Sequence, residues 1–148
     1  MSAGLDNEVR LHVYRRFIAQ GRPPTVADVG QALDIGEAEA GAAFRRLEAD
    51  HVLVLAPGRL DVWMANPLCA VPTSFWVTTA SGSWWGTCIW DALGIPAMLG
   101  VDGVIETTCP DCSEPIELSV EDGALRPAEG VAHFVVPAAR WWENIGFT

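Results

Sequence analysis

Residues 86–100 read GTCIWDALGIPAMLG, and this apolar stretch holds a thiol at Cys88 and a carboxyl group at Asp91. The residues before it, from Phe75 to Thr87, include β-branched side chains and a Ser-Gly-Ser turn, which is typical of two short strands. The residues after it, Ile89 to Leu99, predict a helix. The sequence therefore places Cys88 where a strand ends and a helix begins, with Asp91 one turn into that helix.

Cys88 has a position that favours a thiolate, because the first N–H groups of a helix are unpaired and its dipole is positive there. We therefore expect the pKa of Cys88 to fall. Asp91 points to the same helix face. The direction of its pKa shift stays open, because burial raises the pKa of a carboxyl group whereas a helix start lowers it. If burial dominates, Asp91 can donate a proton; the alternative is a structural cysteine beside a capping aspartate.

The N-terminal part of the chain predicts three helices and a hairpin. Apolar residues recur at helical spacing from Leu5 to Gln20, and again from Glu37 to Asp50. Between them, Thr25 and Asp28 form a weak capping box before a second, short helix. Two short strands follow around a Pro57-Gly58 turn. This order is typical of a winged helix-turn-helix.

The C-terminal part predicts a small, mostly antiparallel sheet. Its strands are expected at Phe75–Thr79, Trp84–Thr87, Val104–Thr108, Ile116–Val120 and Val131–Val136, with a short helix in the tail that ends at Gly146. The predicted fold class is therefore α+β, with a winged-helix-like three-helix lobe over residues 1–66. A sheet lobe with one or two helices follows over residues 67–148.

The charge balance argues against nucleic acid as a partner. The chain has 9 basic and 19 acidic residues, and its net charge of −10 repels phosphate. The third helix would present Glu37 and Glu39 at its recognition end, whereas Arg45 and Arg46 come late in it and Arg59 stands alone in the hairpin. A winged-helix transcriptional regulator is the rival interpretation that this pattern disfavours.

No membrane or export signal is evident in the sequence. Residues 1–17 lack the apolar core of a signal peptide. The apolar window from Trp84 to Val101 is broken by Gly86, Gly94 and Pro96 and carries Asp91, so it predicts a buried helix rather than a membrane span. We expect a cytoplasmic protein with no membrane partner, in which the cysteines are thiols or metal ligands.

Two more cysteines, Cys109 and Cys112, lie in the segment ETTCPDCSEPIEL. A C-x-x-C turn between two strands is half of a zinc ribbon, but structural zinc normally takes four ligands. The supplements would be Cys69, Cys88 or His133. Zinc at this pair, a redox pair, and a hairpin without metal all remain open. One rival hypothesis is therefore a non-catalytic metal-binding or sensor module built on these two cysteines.

The run WGTCIWDALGIPA, residues 85–97, resembles the active-site segment of organomercurial (alkylmercury) lyases, in which a W-C-x-x-D-x-L-x-x-P-A-type motif occurs. The order of parts is also similar. A winged-helix-like lobe precedes the motif, and a strand pair and an apolar segment that ends in a proline, here His133–Pro137, follow it.

The resemblance implies protonolysis of a carbon–mercury bond. Cys88 would be the first thiolate and Asp91 the proton shuttle, since mercury is a soft cation that thiolates hold. It further implies an organomercurial or soft metal ion as the small-molecule partner, Hg(II) as the product, external thiols that remove it, and no organic cofactor. A homodimer is a further expectation.

The resemblance also implies a second catalytic cysteine after a stretch like RWWENIGFT, and the sequence through Thr148 has none there. Either the chain is truncated at the edge of its active site, or it is a shortened relative with altered chemistry. Cys109 and Cys112 do not occupy the matching position, although one of them could approach Cys88 in space. The predicted catalytic residues are Cys88 and Asp91, and the predicted metal ligands are Cys88, Cys109 and Cys112.

Overall fold

The computed structural model describes residues 2–147, and the chain divides into two compact units, Met1–Pro72 and Thr73–Thr148. The boundary predicted after residue 66 falls inside the first unit. The expectation about the chain at Thr148 lies outside the described residues. Helices and antiparallel strands occur in both units, which confirms the α+β class.

Three helices make up most of the first unit: α1 (Ser2–Gln20), α2 (Val26–Leu33) and α3 (Glu37–Ala49). They lie close to their predicted positions. Apolar side chains at helical spacing face inward and are fully buried, since that spacing puts them on one side of a helix; they include Val9, Val13, Phe17, Ala40 and Phe44.

The start of α2 carries the predicted capping box. The Asp28 N–H donates to Thr25 Oγ1 at 3.1 Å, and the Thr25 N–H donates to Asp28 Oδ2 at 2.9 Å. The hydrogen bond from the Thr25 backbone is the main reason why the pKa of Asp28 is lowered. This reciprocal pair satisfies N–H groups that have no partner inside the helix.

A short meander of strands ends the first unit. β1 (Val54–Leu55) and β2 (Val62–Ala65) pair antiparallel on either side of the predicted Pro57-Gly58 turn, and β3 (Leu68–Cys69) pairs with β2. The sequence does not predict β3, because two apolar residues establish no period and the neighbouring prolines favour a crossing between lobes.

Five strands of the second unit pair antiparallel in the order β5-β4-β6-β7-β8. They are β4 (Trp76–Thr79), β5 (Gly82–Gly86), β6 (Gly103–Thr108), β7 (Pro115–Glu121) and β8 (Ala124–Arg126). Helix α4 (Ile89–Leu99) joins β5 to β6 and has the predicted bounds. The motif segment is thus the crossover between two strands that are both neighbours of β4.

The predicted strand Val131–Val136 is wrong. These residues form no strand, and Val131 and Val135 are 94% and 79% exposed. The Asp122-Gly123 turn, in which both residues have positive φ, instead returns the chain at once so that β8 pairs with β7. The tail helix is present as a 3-10 helix over Ala138–Glu143, shorter than predicted.

Among residues 2–147, no helix has the length and apolar character needed to cross a membrane. The apolar window from Trp84 to Val101 is divided between β5 and the 11-residue α4.

Candidate functional site

Two glycines fix the position of α4 on the sheet. A Cβ atom on Gly86 of β5 would lie 2.8 Å from the backbone nitrogen of Ala92, and one on Gly103 of β6 would lie 2.7 Å from Cγ of Pro96. Neither distance is tolerated by real side chains. Ala92 and Ile95 of α4 are fully buried. The helix therefore contacts the backbone of the sheet directly, and its first turn is held at the end of β5.

Hydrogen bonds hold the end of β5 as well. The Thr73 hydroxyl donates to the Gly86 carbonyl oxygen at 2.6 Å, and the Gly86 N–H donates to the Phe75 carbonyl oxygen at 2.9 Å. Because Gly86 lies two residues before Cys88, these bonds also limit where the thiol can lie.

Cys88 is the residue that caps α4. Its backbone is extended, and its carbonyl oxygen accepts the first helical hydrogen bond from the Ala92 N–H at 2.9 Å. Its side chain makes no capping hydrogen bond to the backbone. The thiol instead donates to Asp91 Oδ2 at 3.7 Å, within the range for a sulfur donor. The sequence-based expectation that Asp91 lies within reach of the sulfur agrees with this geometry.

The pKa of Cys88 is raised, so the prediction that it falls is wrong. Burial of the thiol is the main cause, and the negative charge of Asp91 adds to it. The N–H groups of Asp91 and Trp90 at the helix start oppose the rise but do not overcome it. The N–H groups at a helix start lower the pKa of a cysteine only where their effect exceeds the cost of removing water from the thiolate.

The pKa of Asp91 is also raised, and burial is again the main cause. The side chains of Thr87 and Cys88 moderate the rise. Burial thus decides the question that the sequence left open, in the direction that keeps a proton on the carboxyl group. A thiol in contact with a carboxyl group, both with raised pKa values, forms a pair that can share one proton.

Thr87 is a residue of this site that sequence reasoning missed. Its Oγ1 atom is buried and makes no hydrogen bond of ordinary geometry among the described residues, although its side chain affects the pKa of Asp91. A hydroxyl group directly before Cys88 was the available signal. Its unsatisfied oxygen adds a further polar group beside the carboxyl group.

The tryptophans around the motif have different environments. Trp84 is a core residue with 2% exposure, whereas Trp90, on the first turn of α4, is 69% exposed. The rings of Trp76 and Trp85 are in contact and tilted by 56° to each other, with centroids 4.4 Å apart. Aromatic surface therefore lies next to the thiol in sequence, part of it accessible to solvent.

Cys109 and Cys112 lie in the turn between β6 and β7. The Cys109 N–H donates to the Glu114 carbonyl oxygen, and the Ser113 N–H donates to the Cys109 carbonyl oxygen, both at 2.9 Å. The pKa of Cys109 is lowered, chiefly by the backbone N–H groups of Cys112 and Asp111 and then by the Cys112 thiol. Backbone N–H groups of this turn therefore stabilise the thiolate of Cys109.

Metal ligands are not gathered into a larger cluster in the part of the chain that the structure describes. There, no group of three or more His, Cys, Asp and Glu side chains is placed so that it could hold a metal ion. Cys88, Cys109 and Cys112 therefore do not form one three-ligand centre. Zinc at Cys109 and Cys112 stays a prediction.

Two surface cavities are lined by residues other than those of the motif. Cavities of about 400 and 510 Å³ lie in the first unit, and both are lined by Arg59 and Leu60. Cys88 and Asp91 line neither of them. The paired thiol and carboxyl group, whose pKa values are both raised, therefore remain the candidate site.

The family model of the alkylmercury lyases (MerB) matches residues 68–148, which is more than half of the chain. The match includes β3, the whole second unit, Cys88 and Asp91. The chain therefore belongs to the alkylmercury lyase family, which confirms the resemblance seen in the motif.

Solved structures match the chain as well. One is the crystal structure of the mercury-bound form of MerB2, with 20% sequence identity and a TM-score of 0.63. The match covers 80% of this chain but 58% of that one, so the chain spans less than two thirds of the length of MerB2. This likeness shows the fold alone. None of the curated proteins matches the chain.

Proposed function

We propose that this chain binds an organomercurial through Cys88 and breaks the carbon–mercury bond with a proton delivered by Asp91. The observation that carries the proposal is the contact of 3.7 Å between the Cys88 sulfur and Asp91 Oδ2 at the start of α4. Membership of the alkylmercury lyase family supports the same reaction. Soft thiolate ligands suit mercury, and a carboxyl group next to the sulfur suits proton transfer to the carbon that the metal releases.

The proposed reaction conserves protons without a redox step. The Cys88 sulfur displaces the ligand that mercury carries opposite the carbon atom, this ligand leaves as an anion, and the thiol proton passes to the carboxylate form of Asp91. Asp91 then gives a proton to the carbon atom as the carbon–mercury bond breaks, so that a hydrocarbon leaves and Hg(II) remains on sulfur. Burial favours the protonated form of Asp91. External thiols supply further ligands and remove the product.

The test is hydrocarbon release from an arylmercurial in excess small thiol. The wild-type chain should release arene, and Cys88→Ser should not. Binding is measured in a background that also carries Cys109→Ser and Cys112→Ser, so that the thiols of the turn do not contribute. Cys69→Ala is the matched control, because it removes a buried thiol of β3 outside the motif. Absence of arene, together with equal mercury binding by Cys88→Ser, would contradict the proposal.

For the first unit we propose a winged-helix-like fold that does not bind duplex DNA. Arg46 of α3 is paired with Asp6 at 2.6 Å, and Arg59 of the hairpin is paired with Asp61. Two of the three arginines considered for phosphate contact thus already face carboxylates. The rival transcriptional regulator predicts salt-sensitive duplex binding, and measuring such binding would overturn this part of the proposal. Cytoplasmic location and a homodimer stay predictions.

A further inference from the structure

The register of the sheet places the two thiol sites at the same edge. Trp85 of β5 is paired with Trp76 of β4, which is paired with Glu106 of β6 on its other side. Both β5 and β6 are antiparallel to β4, so they run in the same direction. Cys88 follows Trp85 by three residues, and Cys109 follows Glu106 by three residues. The chain therefore leaves the sheet toward both cysteines on one side.

Strand spacing sets the lateral distance between the two exits. One strand, β4, lies between β5 and β6, and neighbouring strands are about 5 Å apart, so the two exits are separated by about 10 Å. This is too far for Cys88 and Cys109 to share a ligand sphere without movement, which agrees with the absence of a three-ligand cluster among residues 2–147. It is close enough for an ion to pass from one site to the other.

The ligand set of the turn selects a particular kind of metal. The two cysteines lie in one turn, in which the Ser113 N–H donates to the Cys109 carbonyl oxygen, and the Cys112 thiol helps to lower the pKa of Cys109, as a neighbouring thiol does. Both side chains reach solvent. Structural zinc requires four ligands, and the described residues offer no third one here. A soft d¹⁰ cation that is satisfied by two thiolates in a linear arrangement, such as Hg(II), matches what is present.

We propose that Cys109 and Cys112 form a two-thiolate site for Hg(II) that lies at the same sheet edge as Cys88 and accepts the ion released there. Binding of the ion needs only the turn, whereas its role as acceptor rests on the proposed function. Nothing in the family motif assigns a role to this turn.

The transfer is a ligand exchange. Hg(II) held between Cys88 and an external thiolate forms bonds to the sulfurs of Cys109 and Cys112 and loses its bonds to the first two sulfurs. The two protons of the turn thiols pass to the sulfurs that leave, so Cys88 and the external thiol are both regenerated. Mercury stays Hg(II), and no oxidant or reductant takes part.

The binding test uses mercuric chloride with a competing small thiol, followed by the ultraviolet absorption of mercury–thiolate bonds. Cys88→Ser should hold one Hg(II) per chain, with two sulfur neighbours in X-ray absorption, and addition of Cys109→Ser and Cys112→Ser should remove it. Ser113→Gly in the Cys88→Ser background is the matched control, because glycine accepts the positive φ of that position. Far-ultraviolet circular dichroism shows whether each variant is folded.

Three outcomes overturn the proposal: equal binding with and without the turn thiols, four sulfur neighbours shared between two chains, or tight stoichiometric zinc that mercury does not displace. The acceptor role is read by alkylation of the wild-type chain loaded with one equivalent of mercury. Cys88 should be modified while Cys109 and Cys112 are protected, and the reverse pattern overturns it. Failure of the lyase reaction would show as absent arene and would leave the binding result of Cys88→Ser unchanged.

Discussion

Cys88 and Cys109 each lie where the chain leaves a strand and turns backbone N–H groups toward a sulfur, yet their pKa values move in opposite directions. Burial raises the pKa of Cys88 in spite of the N–H groups at the start of α4. At Cys109 the N–H groups of Cys112 and Asp111 dominate, because the turn is solvated. The backbone supplies similar N–H donors at both sites, and the burial of the sulfur decides whether these donors lower its pKa.

The two sites therefore suit different tasks. A half-buried thiol with a raised pKa, in contact with a carboxyl group whose pKa is also raised, is arranged for proton transfer. A half-buried thiol with a lowered pKa, with an exposed second thiol in the same turn, is arranged for rapid binding of a soft cation.

The largest expected effect tests the proton donor that only the Cys88 site has. Asp91→Asn removes the acid but keeps the size of the side chain, so arene release should fall by about 10²- to 10⁴-fold, the usual contribution of general acid catalysis. Mercury binding should persist. Asp111→Asn, which alters the carboxyl group next to the other thiol pair, is the matched control and should leave the rate unchanged. A rate for Asp91→Asn equal to that of wild type would contradict the assignment.

Gly86→Ala tests what buries Cys88. The new Cβ would meet the backbone of Ala92, so α4 must shift, and we expect a loss of about 1–3 kcal/mol in the free energy of unfolding. Urea denaturation measures it. The shift should also admit water to Cys88 and lower its pKa toward that of Cys109. Gly4→Ala is the control, since no atom lies within 4 Å of its Cβ position. A fully stable Gly86→Ala would show that the close contact does not hold the helix.

Alkylation with iodoacetamide over a range of pH compares the two thiols in one chain. Alkylation requires the thiolate, so a lowered pKa moves its onset to lower pH and a raised pKa moves it to higher pH. Cys109 should therefore be modified at lower pH than Cys88, as read by peptide mass spectrometry. The opposite order, with both peptides recovered equally, would show that exposure does not govern these sites.

The smallest expected effect concerns Asp111. Its negative charge raises the pKa of Cys109 against the dominant N–H groups, so Asp111→Asn should move the alkylation of Cys109 to still lower pH. The shift should be smaller than the difference between the two thiols, because solvent screens charges at an exposed turn. Added salt should reduce it further, and a shift to higher pH would contradict the stated cause.

Local signals in the sequence were enough for the parts of the fold with local causes. The bounds of α4 follow from an apolar run that a glycine ends, and the start of α2 follows from Thr25 and Asp28, which are three residues apart. The contact between Cys88 and Asp91 follows from helical spacing alone. These features depend on neighbours within one turn.

Features that depend on distant parts of the chain were missed or wrong. The burial of Cys88, which raises its pKa, arises from tertiary packing that no local pattern reveals, so the predicted direction of its pKa shift is wrong. Residues 131–136 have the composition of a strand, but it is β8 that pairs with β7 in the sheet. The sequence does not single out Thr87, because one hydroxyl group forms no motif or periodic spacing.

The exposure of Trp90 makes its fluorescence a reporter on the start of α4. Its indole lies between Cys88 and Asp91 in sequence and is 69% exposed, whereas Trp84 on the preceding strand is almost fully enclosed. Emission from the solvated ring lies at longer wavelength than emission from the enclosed one. A heavy atom on the Cys88 sulfur would quench the red side of the emission band first, so arrival of the metal can be timed without any label.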